Sequence, residues 1–141
     1  MSKPSSQPTL KKSDLVDLVL GPLPVEAINR TLGLELEPGD VIFSAGAQVH
    51  AAKRHSLEYA QCLPHAGAVA TNPSYVGDDF KNTGKIELVR KVPGLLGGVL
   101  LAIAIEIDDA GFYRVVSMYP VSERKIENRR QNRHLVITQS K

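Results

Sequence analysis

Cysteine occurs once, tryptophan not at all and methionine only twice in the 141 residues. A lone Cys62 rules out an internal disulfide, so the fold does not depend on an oxidising compartment. No cysteine and histidine cluster has zinc-site spacing, and His50 and His55, with four residues between them rather than three, do not form the HExxH zinc helix. Gly77 and Gly84 precede Lys85, but six residues separate the glycines and Ile86 follows the lysine, which excludes a phosphate-binding P-loop. No metal and no nucleotide cofactor is expected. Long apolar runs are also missing. The longest, Gly97 to Ile105, is far short of the ~20 residues that span a bilayer. The opening MSKPSSQPTLKKSD has no apolar stretch of the signal-peptide kind. The expectation is a soluble protein without a membrane partner.

What is present is ordinary for a globular chain, 43% hydrophobic and 23% charged, with a net charge of only +2. The length predicts one domain with a core that needs no staples. Residues 1–12, with Pro4 and Pro8, read as a flexible arm. Residues 13–141 form the domain, with a helical N-terminal part over 13–38 and a core over 39–138.

Ser13 is expected to cap a helix over Asp14–Leu20, ended by Gly21-Pro22, with acids in the first turn where the helix dipole favours them. A second helix follows Pro24, with Val25, Ile28 and Leu32 on one stripe and Gly33 as its C-terminal cap. Val41-Ile42-Phe43 is a short strand leading into a helix over Ala45–His55, and a further turn or two ends at Pro64. His65 to Gly77 reads as loop and turn. From Lys85 the period changes to two. Ile86 and Leu88 mark a half-buried strand, Val99–Ile105 a strand covered on both faces, and Asp108–Gly111 a hairpin loop. In the strand from Phe112 to Val121, alternation assigns Phe112, Val116 and Met118 to the core and Tyr113, Val115, Ser117 and Tyr119 to a cleft. Ser122 caps a basic helix, and His134–Ile137 returns as a last strand. Helices followed by a mostly antiparallel, about four-stranded sheet make the fold class α+β.

Two of the four histidines, His50 and His55, bracket Lys53-Arg54. His50, Lys53 and Arg54 share one helix face, while His55 lies roughly 140° round from His50. The segment Ser122–His134 holds five cations against two acids, a patch with sequence-independent affinity for phosphate.

The ordered segments DVIFS, HAAKRH, NPSYVG, KIELV, LLAIAIEID and FYRVVSMYPVSERKI resemble the phage- and prophage-encoded nucleases of the barnase/EndoU/colicin/RelE-like superfamily. The likeness runs from about Gly39 to Ile137. It implies a small α+β ribonuclease fold with helices on a four-stranded antiparallel sheet, RNA as substrate, and cleavage without a metal. The matching positions are His50, Lys53, Arg54, His55, Ser117, Met118, Tyr119 and Lys125.

Cleavage by the 2′-hydroxyl needs a base, an acid and cationic or hydrogen-bonding support for the phosphorane. His50 and His55 suit the proton transfers in either order. Lys53 and Arg54 suit the scissile phosphate. Ser117 and Tyr119 are expected to bond phosphate or orient a histidine, Tyr75 to stack on a base, and Lys125 and Arg129 to meet RNA from one helix face. The leading expectation is a metal-independent, toxin-like ribonuclease acting in a cytoplasm, its own or that of a target cell, with an immunity or antitoxin protein as partner. The alternatives are a catalytically silent RNA- or protein-binding module of phage origin and a transferase acting on a nucleotide.

Overall fold

A computed structural model describes residues 15–54, 56–78, 84–95 and 97–139. The arm and His55 lie outside the described residues. The elements run β1 (Leu18–Pro22), α1 (Val25–Leu32), β2 (Asp40–Phe43), α2 (Ala45–Arg54), α3 (Ser56–Cys62), a 3-10 turn (Leu63–His65) and α4 (Ala66–Thr71). They continue as β3 (Tyr75–Asp78), β4 (Lys85–Val92), β5 (Gly97–Ala104), β6 (Phe112–Ser122), α5 (Glu123–Gln131) and β7 (Val136–Ile137). The class is α+β, but the sheet has seven strands rather than four, ordered β1-β2-β6-β5-β4-β3-β7. It is mixed, because β2 runs parallel to β6.

Two local differences enlarge the sheet, and a third extends the helical layer. The helix expected over Asp14–Leu20 is in part the strand β1, antiparallel to β2. Leu18 and Leu20 pack on the core while Val19 is 55% exposed, the period of a strand. Gly21, at φ 120°, takes a conformation that a continuing helix could not use. The loop expected around Tyr75 is β3, held between β4 and β7. Gly77 permits that close packing: a Cβ there would stand 1.9 Å from the His134 carbonyl oxygen. Pro64 does not end the helical region but sits in the 3-10 turn, after which Ala66, Val69 and Ala70 bury the inner face of α4.

β5 lies between β4 and β6 and is buried almost throughout. Its two faces belong to different cores. Val99, Leu101 and Ile103 join Phe43, Ile86, Leu88 and Tyr113 beneath α1–α4. Leu100 and Ala102 join Tyr75, Val89, Val121 and Leu135 beneath Ile126 of α5.

β6 departs from simple alternation. Val115 pairs with Ile103 and Ser117 with Ala102, so Val116 is the extra residue of a bulge. Before it, Tyr113 and Val115 face the core under α1–α4, and Tyr113 donates its hydroxyl to the Glu37 carbonyl. Beyond it, Met118 takes that face while Tyr119 and Val121 turn to the α5 side. The expected assignment of Phe112 and Val116 to the core is therefore corrected: Val116 is 41% exposed, and Tyr113 and Val115 are buried. A one-residue insertion reverses every later side chain, which a strict period of two cannot anticipate.

Candidate active site

α2 starts directly after β2, and its first turn is capped twice. Ser44 Oγ accepts from the Ala47 amide at 3.2 Å, and Asp17 Oδ1 accepts from the Ala45 amide at 2.7 Å. Both oxygens satisfy amides that a helix start leaves without partners. The buried side of α2 consists of Ala45, Gln48 and Ala52. His50, Lys53 and Arg54 are exposed along its second half.

β2 pairs with β6 only from Asp40/Phe112 to Ile42/Arg114. Past that point the chain leaves β2 for α2, and the β2-facing edge of β6 continues without this strand neighbour. A cleft of about 330 Å³ opens there. His50, Ala51 and Arg54 line it from α2, and Val116, Ser117, Met118 and Tyr119 from β6. Ser117 and Tyr119 pair with Ala102 and Leu100 of β5, which places them on one face of the strand.

Four of the sequence-predicted residues, His50, Arg54, Ser117 and Tyr119, thus line one cleft. Lys53 shares the exposed end of α2 but is not part of the lining. His55, the next residue after α2, is outside the described residues. Tyr75, Lys125 and Arg129 are not part of the lining; they lie around α5, on the side of the sheet to which Tyr119 also turns. Tyr75 is 8% exposed, with the Arg130 guanidinium 5.2 Å and the Lys91 ammonium 5.9 Å from its ring centre. Its faces already serve cations. Lys91 also pairs with Glu123 at 3.3 Å, and that hydrogen bond, helped by the charge of Tyr75, raises its pKa. Arg129 pairs with Glu87 of β4. Lys125 is exposed on α5, and its main-chain amide donates to the Ser122 cap at 3.1 Å.

The lining residues missed in the sequence are Ala51 and Val116, which with Met118, one of the family-matching positions, give the cleft an apolar wall beside its polar groups. The adjacent Val115-Val116 pair is the only local hint of the bulge, since one of two neighbouring valines must leave the core face. Gln48 was missed as well. Its spacing from Ala45 and Ala52 places it in their buried stripe. Among the described residues, no group of three His, Cys, Asp or Glu side chains is arranged to hold a metal ion. Nor, among them, is any helix long and apolar enough to cross a membrane.

A family model described as phage-Barnase-EndoU-ColicinE5/D-RelE like nuclease3, PBECR3, matches residues 19–128. The chain belongs to this PBECR3 family. The PBECR3 match begins within β1 and ends within α5, so it contains α2, β6 and the whole cleft. Asp17, which caps α2 from outside, precedes it by two positions. Neither curated proteins nor solved structures include a significant match to the chain.

Proposed function

We propose that this member of a nuclease family is a toxin-like endoribonuclease that cleaves RNA without a metal ion in the cleft between α2 and β6. The supporting observation is the placement of His50 and Arg54, one helical turn apart, opposite Ser117 and Tyr119 across a single cleft. In this reading, one histidine takes the proton of the 2′-hydroxyl as the new O2′–P bond forms. The P–O5′ bond breaks, and the leaving oxygen receives a proton from the second group. His50 carries one of these transfers, and His55 is assigned the other. Arg54 offers two parallel N–H donors to the phosphate, and the hydroxyls of Ser117 and Tyr119 add donors as negative charge builds on the phosphorane. The products are a 2′,3′-cyclic phosphate and a 5′-hydroxyl.

Lys53 and Lys125 are assigned to the flanking phosphates, and the substrate is cytoplasmic RNA, transfer RNA among it. A neutralising immunity or antitoxin protein covering the cleft is the expected partner. The test is incubation with transfer and ribosomal RNA in EDTA, beside His50→Ala. Discrete fragments with cyclic phosphate ends, absent with the variant, support the reading. RNA left intact at high protein concentration, with or without divalent metal, overturns it in favour of a catalytically silent binding module.

A further inference from the structure

We infer that Gln48 is the positioning residue of the cleft: its buried amide sets the rotation of α2 and thereby the places of His50 and Arg54. The inference rests on the proposed ribonuclease reading for its kinetic part alone. Gln48 is only 2% exposed. Its Nε2 donates to the Val16 carbonyl at 2.8 Å and to the Phe43 carbonyl at 2.9 Å, and its Oε1 accepts from the Tyr59 hydroxyl at 3.0 Å. Two carbonyl acceptors on one side and a hydroxyl donor on the other fix which end of the amide faces which partner. The three partners come from the segment before β1, the end of β2 and α3. One side chain therefore ties α2 to three separate parts of the fold.

The rest of the buried side of α2 explains why such a tie is needed. Ala45 and Ala52 are its other buried residues, and a methyl group offers little shape to resist a helix turning about its axis. Hydrogen bonds are directional and supply that resistance. At about 100° per residue, Ala51, Arg54 and His50 follow one another round the flank of α2, starting roughly 60° from Gln48. This is the order in which they would pass from the floor of the cleft to its rim. With side chains reaching about 5–6 Å from the axis, a rotation of about 10° moves His50 by about 1 Å. A displacement of that size at a reacting group costs on the order of 100-fold in rate.

The experiment compares wild type, Gln48→Met and Tyr59→Phe. Gln48→Met keeps an unbranched chain of similar length and removes all three bonds, whereas Tyr59→Phe removes one and keeps the ring that meets Phe43 edge-on at 6.4 Å between centres. The readouts are kcat and KM on an RNA oligonucleotide, thermal unfolding, and the NMR resonances of the Ala51 methyl and the His50 ring. The expected result for Gln48→Met is a folded protein with shifted Ala51 and His50 resonances, kcat lower by about 10- to 100-fold and KM within about twofold. Tyr59→Phe is expected to show the same pattern at about threefold in kcat. Unshifted resonances, or kcat within twofold of wild type in a folded Gln48→Met, overturn the inference. Should Gln48→Met not fold, an unchanged kcat in Tyr59→Phe overturns it equally. If wild type cleaves no RNA, the ribonuclease reading fails, and the resonances alone decide the role of Gln48.

Discussion

Asp17 Oδ1 accepts a hydrogen bond from the Ala45 amide at 2.7 Å, so the segment leading into β1 caps the helix that carries His50. Replacing the acceptor leaves a helix-start amide without it, at a cost of about 1–2 kcal/mol. Asp17→Ala is expected to lower the thermal midpoint by roughly 2–8 °C. Asp17→Asn, which keeps an acceptor oxygen, should recover most of that loss. A midpoint unchanged by the alanine would show that Ser44 alone suffices.

His50 and Arg54 are exposed, so changing them should alter chemistry more than stability. His50→Ala and Arg54→Lys are each expected within about 0.5 kcal/mol of wild-type stability by urea unfolding. On RNA, His50→Ala should lose about 10²–10⁴ in kcat/KM. Arg54→Lys keeps the charge but not the two-pronged donor geometry, and should lose on the order of 10- to 100-fold. Equal losses in unfolding free energy and in activity would point to a structural role instead.

The basic helix α5 contains cations of two kinds. Arg129 is three-quarters covered and paired with Glu87, so Arg129→Met should cost roughly 1–2 kcal/mol of stability. The same change should leave the salt dependence of RNA binding as it was. Lys125 is exposed, and Lys125→Ala is expected to flatten the plot of log K against log salt by about 0.7 for each phosphate contact removed. Anisotropy titrations with a 2′-O-methyl oligonucleotide separate the two. A flatter slope for Arg129→Met would reverse the assignment.

Cys62 is fully buried, and burial, with the Glu58 carboxylate adding to it, pushes its thiol from 9.0 up to about 11. The unfolded chain releases this proton first, so the folded state binds more protons between the two values. Stability is therefore complete below pH 9 and falls as the pH rises towards 11, by on the order of 2–3 kcal/mol in all. Burial also raises Tyr59 and Tyr113, which adds in the same direction at the alkaline end. Urea midpoints measured from pH 8 to 10.5 should decline, and Cys62→Ala should reduce the slope. An equal slope in the variant would assign the whole effect to the tyrosines.

Elements marked by local chemistry were legible in the sequence. The stripe and glycine cap of α1, the turn from β2 into α2, and the changed period of β4 and β5 depend on residues a few positions apart. β1 was not legible, because Leu-Val-Leu suits either period and only the presence of β2 decides between them. Asp17 made the error persuasive: an acid at a helix start was correct, but the helix lies beyond α1 and β2. β3 depends in the same way on β4 and β7, which arrive later in the chain. At the cleft, the pairing of His50 with Arg54 and of Ser117 with Tyr119 followed from helix and strand spacing. That the two pairs line one cavity required the opening beside β6, which no spacing encodes. The position of Tyr75, Lys125 and Arg129 outside that lining goes with Ile126 and Leu135, which seat α5 on the face of the sheet opposite α1–α4.

The three parallel rungs joining β2 to β6 also determine when a cleft can exist at all. β3 to β6 and α5 are successive hairpins and short connections that close small loops. The β2–β6 contact instead spans most of the domain, from Asp40 to Phe112, and closing so large a loop is the slow, entropically costly kind of step. Until it forms, α2 has no wall to face. A chain still emerging from the ribosome would carry His50 and Arg54 well before it carried the strand that completes their pocket, and so, on the ribonuclease reading proposed above, would be harmless to the RNA that is making it.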